Sequence, residues 1–437
     1  MTTHSYQHGG PGAEQRLSRR RRALVKGTVA TAAAGITGYA VGARGRPAAP
    51  PDGVSQAGGA GGDGGNSRAG SSCAPGMVAV SARGSRQAGV DRPVQPQQHM
   101  ALSVYDLPGA GHPDTPGSDF VRRSAGLVAE LGTRVLTLTE QDGDTALGGL
   151  PPGDLSVTVG VGPRVVAAVD SGLPGARELP RFAREEMPHS ARGGDLMVQV
   201  CASDPQVVTL ADSALRAWLQ EHSAAPCWSQ DGFRPPVPPA RAGQAGQAGQ
   251  RALVRNLLGF LDGIVVPRTG RELDQEVWLS APARVRGGTV SVVRRLRLDV
   301  PRFLAQDLAQ QERAIGRRRE DGAPLSGGGP DAPMDLGAKA PQGRYLVPAM
   351  AHARRANPNG TGSGLMLRRG YSYANGPEDR GLLFICFQRE LRTFVATQQR
   401  LDDGDELSSF ATATASGTFL VLPGFTGTRL LGAPLLS

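Results

Sequence analysis

Lysine is nearly missing from this sequence, with two residues, Lys26 and Lys339, in a chain of 437. The formal charge of +9 at pH 7 is therefore carried almost wholly by arginine. The arginines are scattered and not interleaved with aromatics, so they form no stripe or module of the kind that grips nucleic acid. Arginine-rich, lysine-poor usage beside abundant Ala and Gly is what a GC-rich genome tends to produce, and the basic balance is discounted on that ground. Aromatic residues make up only 5% of the chain against 39% hydrophobic, which permits a real core but excludes a large aromatic one. Cysteine is scarce too: Cys73, Cys201, Cys227 and Cys386 never fall at CxxC spacing, which argues against a zinc or iron–sulfur site. A disulfide stays open outside the cytosol, and buried or incidental thiols are the plainer reading. Near the N-terminus the most apolar stretch, Gly27 to Ala43, is rich in Ala, Gly and Thr and is too weakly hydrophobic for a membrane anchor.

What is present begins with an export pattern. Arg21, Arg22, Ala23, Leu24, Val25 and Lys26 match a twin-arginine signal, followed by the mildly apolar stretch just described. The rival reading is a basic tail beside a short helix. The twin-arginine translocase carries folded proteins, often with a cofactor already inserted, so the pattern predicts an extracellular or cell-envelope destination. Residues 1–43 are read as the signal. Residues 44–83, dominated by Gly, Ser, Pro and Ala, are read as a flexible linker.

Folded structure is expected from Gly84. "HMALSVYDLP" alternates like a strand, and "SDFVRRSAGLVAELGTRV" has helical spacing with Ser118 or Asp119 as its cap. A strand at Asp195–Ala202 leads to a helix capped near Asp204. A polar break with an AGQ repeat then separates two halves, taken as domains at 84–240 and 241–437. The second half repeats the order: a strand "GTVSVVRRLRLDV", a helix "PRFLAQDLAQQERAIGRRR" with Pro301 in its first turn, paired strands "LMLRRGYSYA" and "GLLFICFQ", and a helix "LRTFVATQQRLDDGD". Strand–helix–strand units of this spacing predict an α+β fold.

One short stretch is chemically odd. In "NLLGFLDGIVVP" a single acid, Asp262, sits in an apolar run between Gly259 and Gly263. A carboxylate there is costly unless it is hydrogen-bonded, neutralised or used. Seven histidines occur, and His352, in "PAMAHARRANPNG", stands out only by its company; a lone histidine is usually structural.

That company is a set of ordered motifs. Gly259-Phe260-Leu261-Asp262-Gly263 follows Asn256 and Leu257. His352-Ala353-Arg354 is followed by Pro358. Leu367-Arg368-Arg369-Gly370-Tyr371-Ser372-Tyr373 comes next, and "QERAIGRRREDGAPL", "GGDLMVQVCASDP" and "LVLPG" complete the pattern. Together they resemble the DyP-type (dye-decolorizing) heme peroxidases, especially the exported, deferrochelatase/peroxidase-like branch, over roughly Gln87 to Gly424. The resemblance implies two ferredoxin-like halves, antiparallel sheets flanked by helices, in the barrel-like α+β architecture of that family. It implies one heme b per chain and hydrogen peroxide plus an organic reductant as substrates, and it leaves room for a homo-oligomer.

The resemblance also implies roles. His352 is the proximal iron ligand, its other ring nitrogen donating to a buried acceptor. Asp262 stands over the distal face, taking a proton from peroxide and returning it to the leaving oxygen; a carboxylate in that role predicts an acidic optimum. Arg368 stabilises the developing negative charge and holds Asp262 ionised. Gly263, Ile264, Val265, Asn357, Pro358 and Asn359 line the heme, and Arg354 is a candidate propionate partner. Leu383, Phe384, Ile385 and Phe387 are candidates for an apolar wall, with core packing as the equal alternative. Arg369, next along an extended strand, is expected to point the other way into a structural ion pair.

Two positions depart from the family pattern. Ile264 and Val266 stand where Thr and Asn are usual, so the site loses two hydrogen-bonding side chains, and Ala353 replaces a branched residue. Besides a peroxidase oxidising phenols or dyes, the sequence is consistent with a deferrochelatase-like release of iron from heme, with a heme-binding protein of little turnover, or with a degenerate paralogue that binds no heme. Tyr371, Tyr373, Trp218, Trp228 and Trp278 are candidate electron relays for substrates too large to reach a buried heme, although such residues are more often packing.

Overall fold

A computed structural model of the chain describes residues 78–109, 117–140, 145–236, 252–426 and 429–436. The twin-arginine signal, most of the linker, Cys73, His112 and the AGQ repeat lie outside them.

The N-terminal half contains strands β1 (His99–Asp106), β2 (Ser156–Val161), β3 (Leu196–Ala202) and β4 (Ala225–Phe233), with helices α1 (Ser118–Glu140), α2 (Pro163–Val169) and α3 (Pro205–Glu221). The second half adds a two-residue ladder, β5 (Val254–Arg255) with β6 (Leu261–Asp262), then helix α4 (Gly270–Glu276) and the long β7 (Thr289–Leu298). Helices α5 (Val300–Leu304), α6 (Leu308–Ile315), α7 (His352–Arg355) and α8 (Pro358–Thr361) follow, then β8 (Leu367–Arg368), β9 (Tyr371–Ala374) and β10 (Arg380–Gln388). The chain finishes with α9 (Leu391–Asp402), β11 (Ala411–Val421) and α10 (Ala433–Leu436).

The strands run in the order β7-β11-β2-β3-β1-β4-β9-β10, and β10 pairs back onto β7, so the sheet closes into a barrel with β8 attached at β10. Each half uses the same order. Counting the long strands of a half as one to four, both read 4-1-3-2, with every ladder antiparallel, as in a ferredoxin-like unit. The two seams between halves are short, Leu420–Val421 against Val161–Gly160 and Phe233 against Ser372.

Alternation along the strands explains why so many of them are apolar throughout. In β1, Met100, Leu102 and Val104 pack inside the barrel with Met197, Tyr371, Ile385, Phe387 and Phe419. Ala101 and Tyr105 face outward, under α1 and α3. Helix α1 presents Phe120, Ser124, Val128, Leu131, Val135 and Leu138 as one buried stripe at three- and four-residue spacing. Helix α3 begins where expected: Asp204 accepts from the Gln206 N–H, and Pro205 occupies the first turn.

The expected single helix after β7 is two. Pro301 does lie in the first turn of α5, but that helix ends at Leu304, and Asp307 starts a new one with a capping box that pairs it with Gln310. The apolar run around Asp262 is mostly turn, with only Leu261 and Asp262 in a ladder. Among the described residues no helix is long and apolar enough to cross a membrane.

Candidate active site

The second half does not close over its sheet as the first does. Between the outer face of β7, β10 and β11 and the layer of short helices lies a cavity of about 300 Å³, within the range of small-molecule sites. Asp262, Gly263, Ile264, Val265, His352, Asn357, Pro358 and Arg368 all line it.

The Asp262 segment is built by its own turn. Asn256 Oδ1 accepts from the Leu258 and Phe260 N–H groups at 3.0 and 3.3 Å, folding the chain back on itself. Gly259 and Gly263 take φ values of 84° and 79°, a region that side chains resist, which accounts for both glycines. The Gly263 N–H donates to Asp262 Oδ1 at 2.6 Å and sets the plane of the carboxylate. Arg255 braces the turn from outside by donating to the carbonyls of Gly259, Arg319 and Glu320. Arg368, from β8, donates Nη1 to the Val265 carbonyl at 3.0 Å, which ties it to the same loop.

His352 opens α7. Its Nδ1 lies 3.0 Å from Asp405 Oδ2, so the proton on that nitrogen is donated to the carboxylate and Nε2 is the nitrogen left for the cavity. Asp405 is 1% exposed and also accepts from the Ser408 hydroxyl at 2.6 Å and the Ser408 N–H at 3.0 Å. The His352 side chain is 36% open, and the residue lines the cavity. Burial pulls the imidazole pKa down, but the Asp405 charge and hydrogen bond outweigh it and the net shift is upward; Arg368 opposes and Asp262 assists. Asp405 moves the other way: burial raises it, and His352 and the Ser408 donors bring it below the usual carboxylate range.

Several expected wall residues lie elsewhere. Arg354 is absent from the lining; its Nη1 donates to the carbonyls of Leu336 at 2.7 Å and Val347 at 3.3 Å, and its guanidinium lies over the Tyr345 ring. Asn359 is exposed and also absent from the lining; it contributes its N–H to the cap made by Asn357 Oδ1. Of the four β10 candidates only Phe384 faces the cavity, with Leu382, because Leu383, Ile385 and Phe387 point into the barrel. The two departures separate in the same way: Ile264 lines the cavity, and Val266 joins the barrel interior. Arg369 does turn away from Arg368, but it donates to the Pro93 carbonyl at 2.9 Å instead of forming an ion pair. Tyr371 and Tyr373 are fully buried and flank the cavity residue Ser372; Tyr371 donates to Cys201 Sγ at 3.6 Å. Cys201, Cys227 and Cys386 are free thiols.

Sequence reasoning missed Asp405, whose only signal was its place in the acid-rich turn after α9, and Arg294 and Arg184, which line the cavity without belonging to any motif that drew attention. Arg317 also lines it, from within the stretch "QERAIGRRREDGAPL", where no single residue is singled out.

Comparison with known proteins meets this geometry directly. A model for the N-terminal domain of Dyp-type peroxidases matches residues 87–234, and one for the C-terminal domain matches residues 254–426. The chain is 36% identical over 307 residues to a dye-decolorizing peroxidase of Thermobifida fusca, an alignment covering 67% of this chain and 69% of that protein. It is 34% identical over 294 residues to a deferrochelatase of Yersinia pseudotuberculosis, covering 62% of this chain and 64% of the relative, just under two thirds. Among solved structures, a DyP-type peroxidase from Streptomyces coelicolor superposes with a TM-score of 0.71 at 31% identity, covering 83% of this chain and 98% of its own. One from Cellulomonas bogoriensis gives 0.72 at 29%, covering 84% and 100%.

Proposed function

The chain belongs to the Dyp-type peroxidase family, heme-dependent oxidoreductases acting on peroxide, and from that premise we propose that its cavity holds one heme b, with His352 Nε2 as the iron ligand and Asp262 and Arg368 serving the opposite face. The residues present fit such a group. The lining is dominated by apolar side chains, among them Leu257, Leu258, Phe260, Ile264, Leu365 and Phe384. It contains a single imidazole, whose second nitrogen is held by a buried carboxylate, the arrangement that orients a metal-ligating histidine and raises its basicity.

When bound, heme would supply the redox chemistry that carries electrons from an organic reductant to peroxide. The chain's own residues handle protons and charge. Asp262 accepts a proton from the incoming peroxide and returns it to the leaving oxygen, which departs as water. Arg368 places a fixed positive charge beside that transfer and stabilises the negative charge that develops as the O–O bond lengthens. Asp405 holds the Nδ1 proton of His352 and keeps Nε2 aimed into the cavity. With a carboxylate as proton acceptor, turnover is expected to be best in acid.

The observation that carries this reading is the buried Asp405–His352 pair opening onto the cavity that Asp262 and Arg368 also line. It is tested by the absorption spectrum of purified protein supplied with hemin, in wild type and His352→Ala. A histidine-ligated Soret band in the wild type, lost or shifted in the variant, is expected; wild-type protein that stays colourless overturns the reading.

The likeness to deferrochelatases supports a second reading, release of iron from heme with the porphyrin intact. Metal-free porphyrin as the product favours it, whereas peroxide-dependent dye oxidation that disappears in Asp262→Ala favours the first. The pattern Arg21 to Lys26 supports export by the twin-arginine translocase to the cell envelope or beyond. Replacing Arg21 and Arg22 by lysine is expected to retain the protein in the cytoplasm.

A further inference from the structure

Besides the Asp262 loop, the cavity is bordered by the segment that leads into β3, through Ala183 and Arg184. Arg294, in β7, is 2% exposed and lines this end. Its Nη2 donates to Glu185 Oε1 at 2.9 Å and its guanidinium lies over the Phe182 ring at 4.9 Å, yet its Nε and Nη1 have no hydrogen-bond partner. Buried arginine donors are seldom left this way, because each unmade bond forfeits hydration without return. Glu185 does not compensate Arg294 alone, since its other oxygen accepts from Arg192 at 2.6 Å.

Beside it stands Arg184. It is exposed, it lines the cavity, and among the described residues its guanidinium has no hydrogen-bond or ion-pair partner. Its backbone is held at φ 57°, a left-handed conformation uncommon for arginine. The clamp is visible: the Ala413 N–H donates to the Arg184 carbonyl and the Glu186 N–H donates to the Ala413 carbonyl, both at 2.9 Å, and Ala413 is itself part of the cavity wall. At this end three arginines, Arg184, Arg192 and Arg294, meet two carboxylates, Glu185 and Asp402. Asp402 is already occupied, accepting from the Ala183 N–H and from Gln398. Glu186 is turned outward into its own pair with Arg297.

We propose that Arg184 and Arg294 form a carboxylate-binding end of the cavity. Arg294 supplies buried donors and Arg184 closes over the anion from the mouth, the planar fork geometry for which arginine is suited. The inference rests on the heme reading of the cavity. The carboxylate has two sources, a propionate of the heme or the acid group of an aromatic substrate, and matched ligand pairs separate them.

Apo wild type, Arg184→Gln, Arg184→Lys and Arg184→Gly are titrated with hemin and with hemin dimethyl ester. The reconstituted enzymes are then assayed with 3-(4-hydroxyphenyl)propanoate and with 4-ethylphenol. The glycine variant relieves the positive φ and is expected to melt at or above the wild-type temperature, so a loss of binding in it is not a loss of fold. Loss of one charge-assisted bond is expected to weaken binding about tenfold. If Arg184→Gln and Arg184→Gly weaken hemin and spare the ester, with partial rescue by lysine, the carboxylate is the heme's. If they raise KM for the phenolic acid and spare 4-ethylphenol, it is the substrate's. No change in either pair, or equal changes for both members of a pair, overturns the proposal. Wild-type protein that takes up no hemin overturns the heme reading instead, before any variant is compared.

Discussion

The two halves share a strand order and differ in what lies against the outer face of their sheet. In the N-terminal half, α1 and α3 are long, and their buried positions are almost wholly apolar: Val128, Leu131, Val135 and Leu138 from one, Val207, Ala211, Leu215 and Leu219 from the other. In the C-terminal half the corresponding α9 has 12 residues and buries only Thr393 and Phe394. Its Thr397, Gln398, Leu401 and Asp402 face a void. The lesson is that one topology serves two purposes according to the filling. Continuous apolar stripes make a core, whereas interrupted short helices leave a lined space and turn polar groups toward it.

That contrast can be broken by experiments of graded size. The largest effect is expected on the chemistry: Asp262→Ala should lower kcat/KM for peroxide by about 10²–10⁴-fold, the range for removing a positioned acid–base group, while the melting temperature of the apo protein stays put. Next, Leu131→Ala in α1 should cost about 2–5 kcal/mol in denaturant unfolding of the apo protein. Leu401→Ala in α9 should cost less than about 1 kcal/mol, because its side chain already borders empty space. Equal costs would mean that the cavity is packed shut in solution and that the contrast between halves is false. Smaller again, Asp405→Asn should keep the fold but weaken heme retention by about 10–100-fold, read as faster heme transfer to an apo-globin scavenger.

The sequence revealed Asp262, His352 and Arg368 because each lies in a contiguous motif, and the structure gathers all three on one cavity. It hid what depends on direction. Arg354 is two residues after His352 on a short helix, so at about 100° per residue it points nearly the opposite way. Leu383, Phe384, Ile385 and Phe387 could not all share one wall, since a strand alternates. The break between α5 and α6 was readable in the Asp307-x-x-Gln310 spacing and was outweighed by the apolar run around it. Asp405 was beyond reach because its partner is 53 residues away and nothing local marks the pair.

The smallest predicted effect compares two adjacent residues of β7. Arg295 points away from the cavity and its donors are used: Nε to Gln230 at 2.8 Å, Nη1 to Thr414 at 2.6 Å and Nη2 to both oxygens of Asp379 at 2.6 Å, with the guanidinium over Tyr373. Arg294, one residue earlier, keeps two donors unmade. Asp379 records the difference. Burial raises its pKa, but the hydrogen bonds from Arg295 and Asn375 and the charges of Arg295 and Arg297 outweigh burial, and the carboxyl ends below its ordinary value. The unfolded chain therefore binds this proton first as pH falls. The pair's contribution is complete above the unfolded value of about 4 and is lost below it, as pH drops through the folded value. With Asp379 41% exposed, the contribution is expected to be under about 1 kcal/mol. Asp379→Asn should flatten the acid limb of apo-protein stability below about pH 4 and leave the neutral-pH binding of hemin and of phenolic acids unchanged. If instead it alters carboxylate binding, the two faces of β7 are coupled, and the division between a saturated structural arginine and a functional one does not hold.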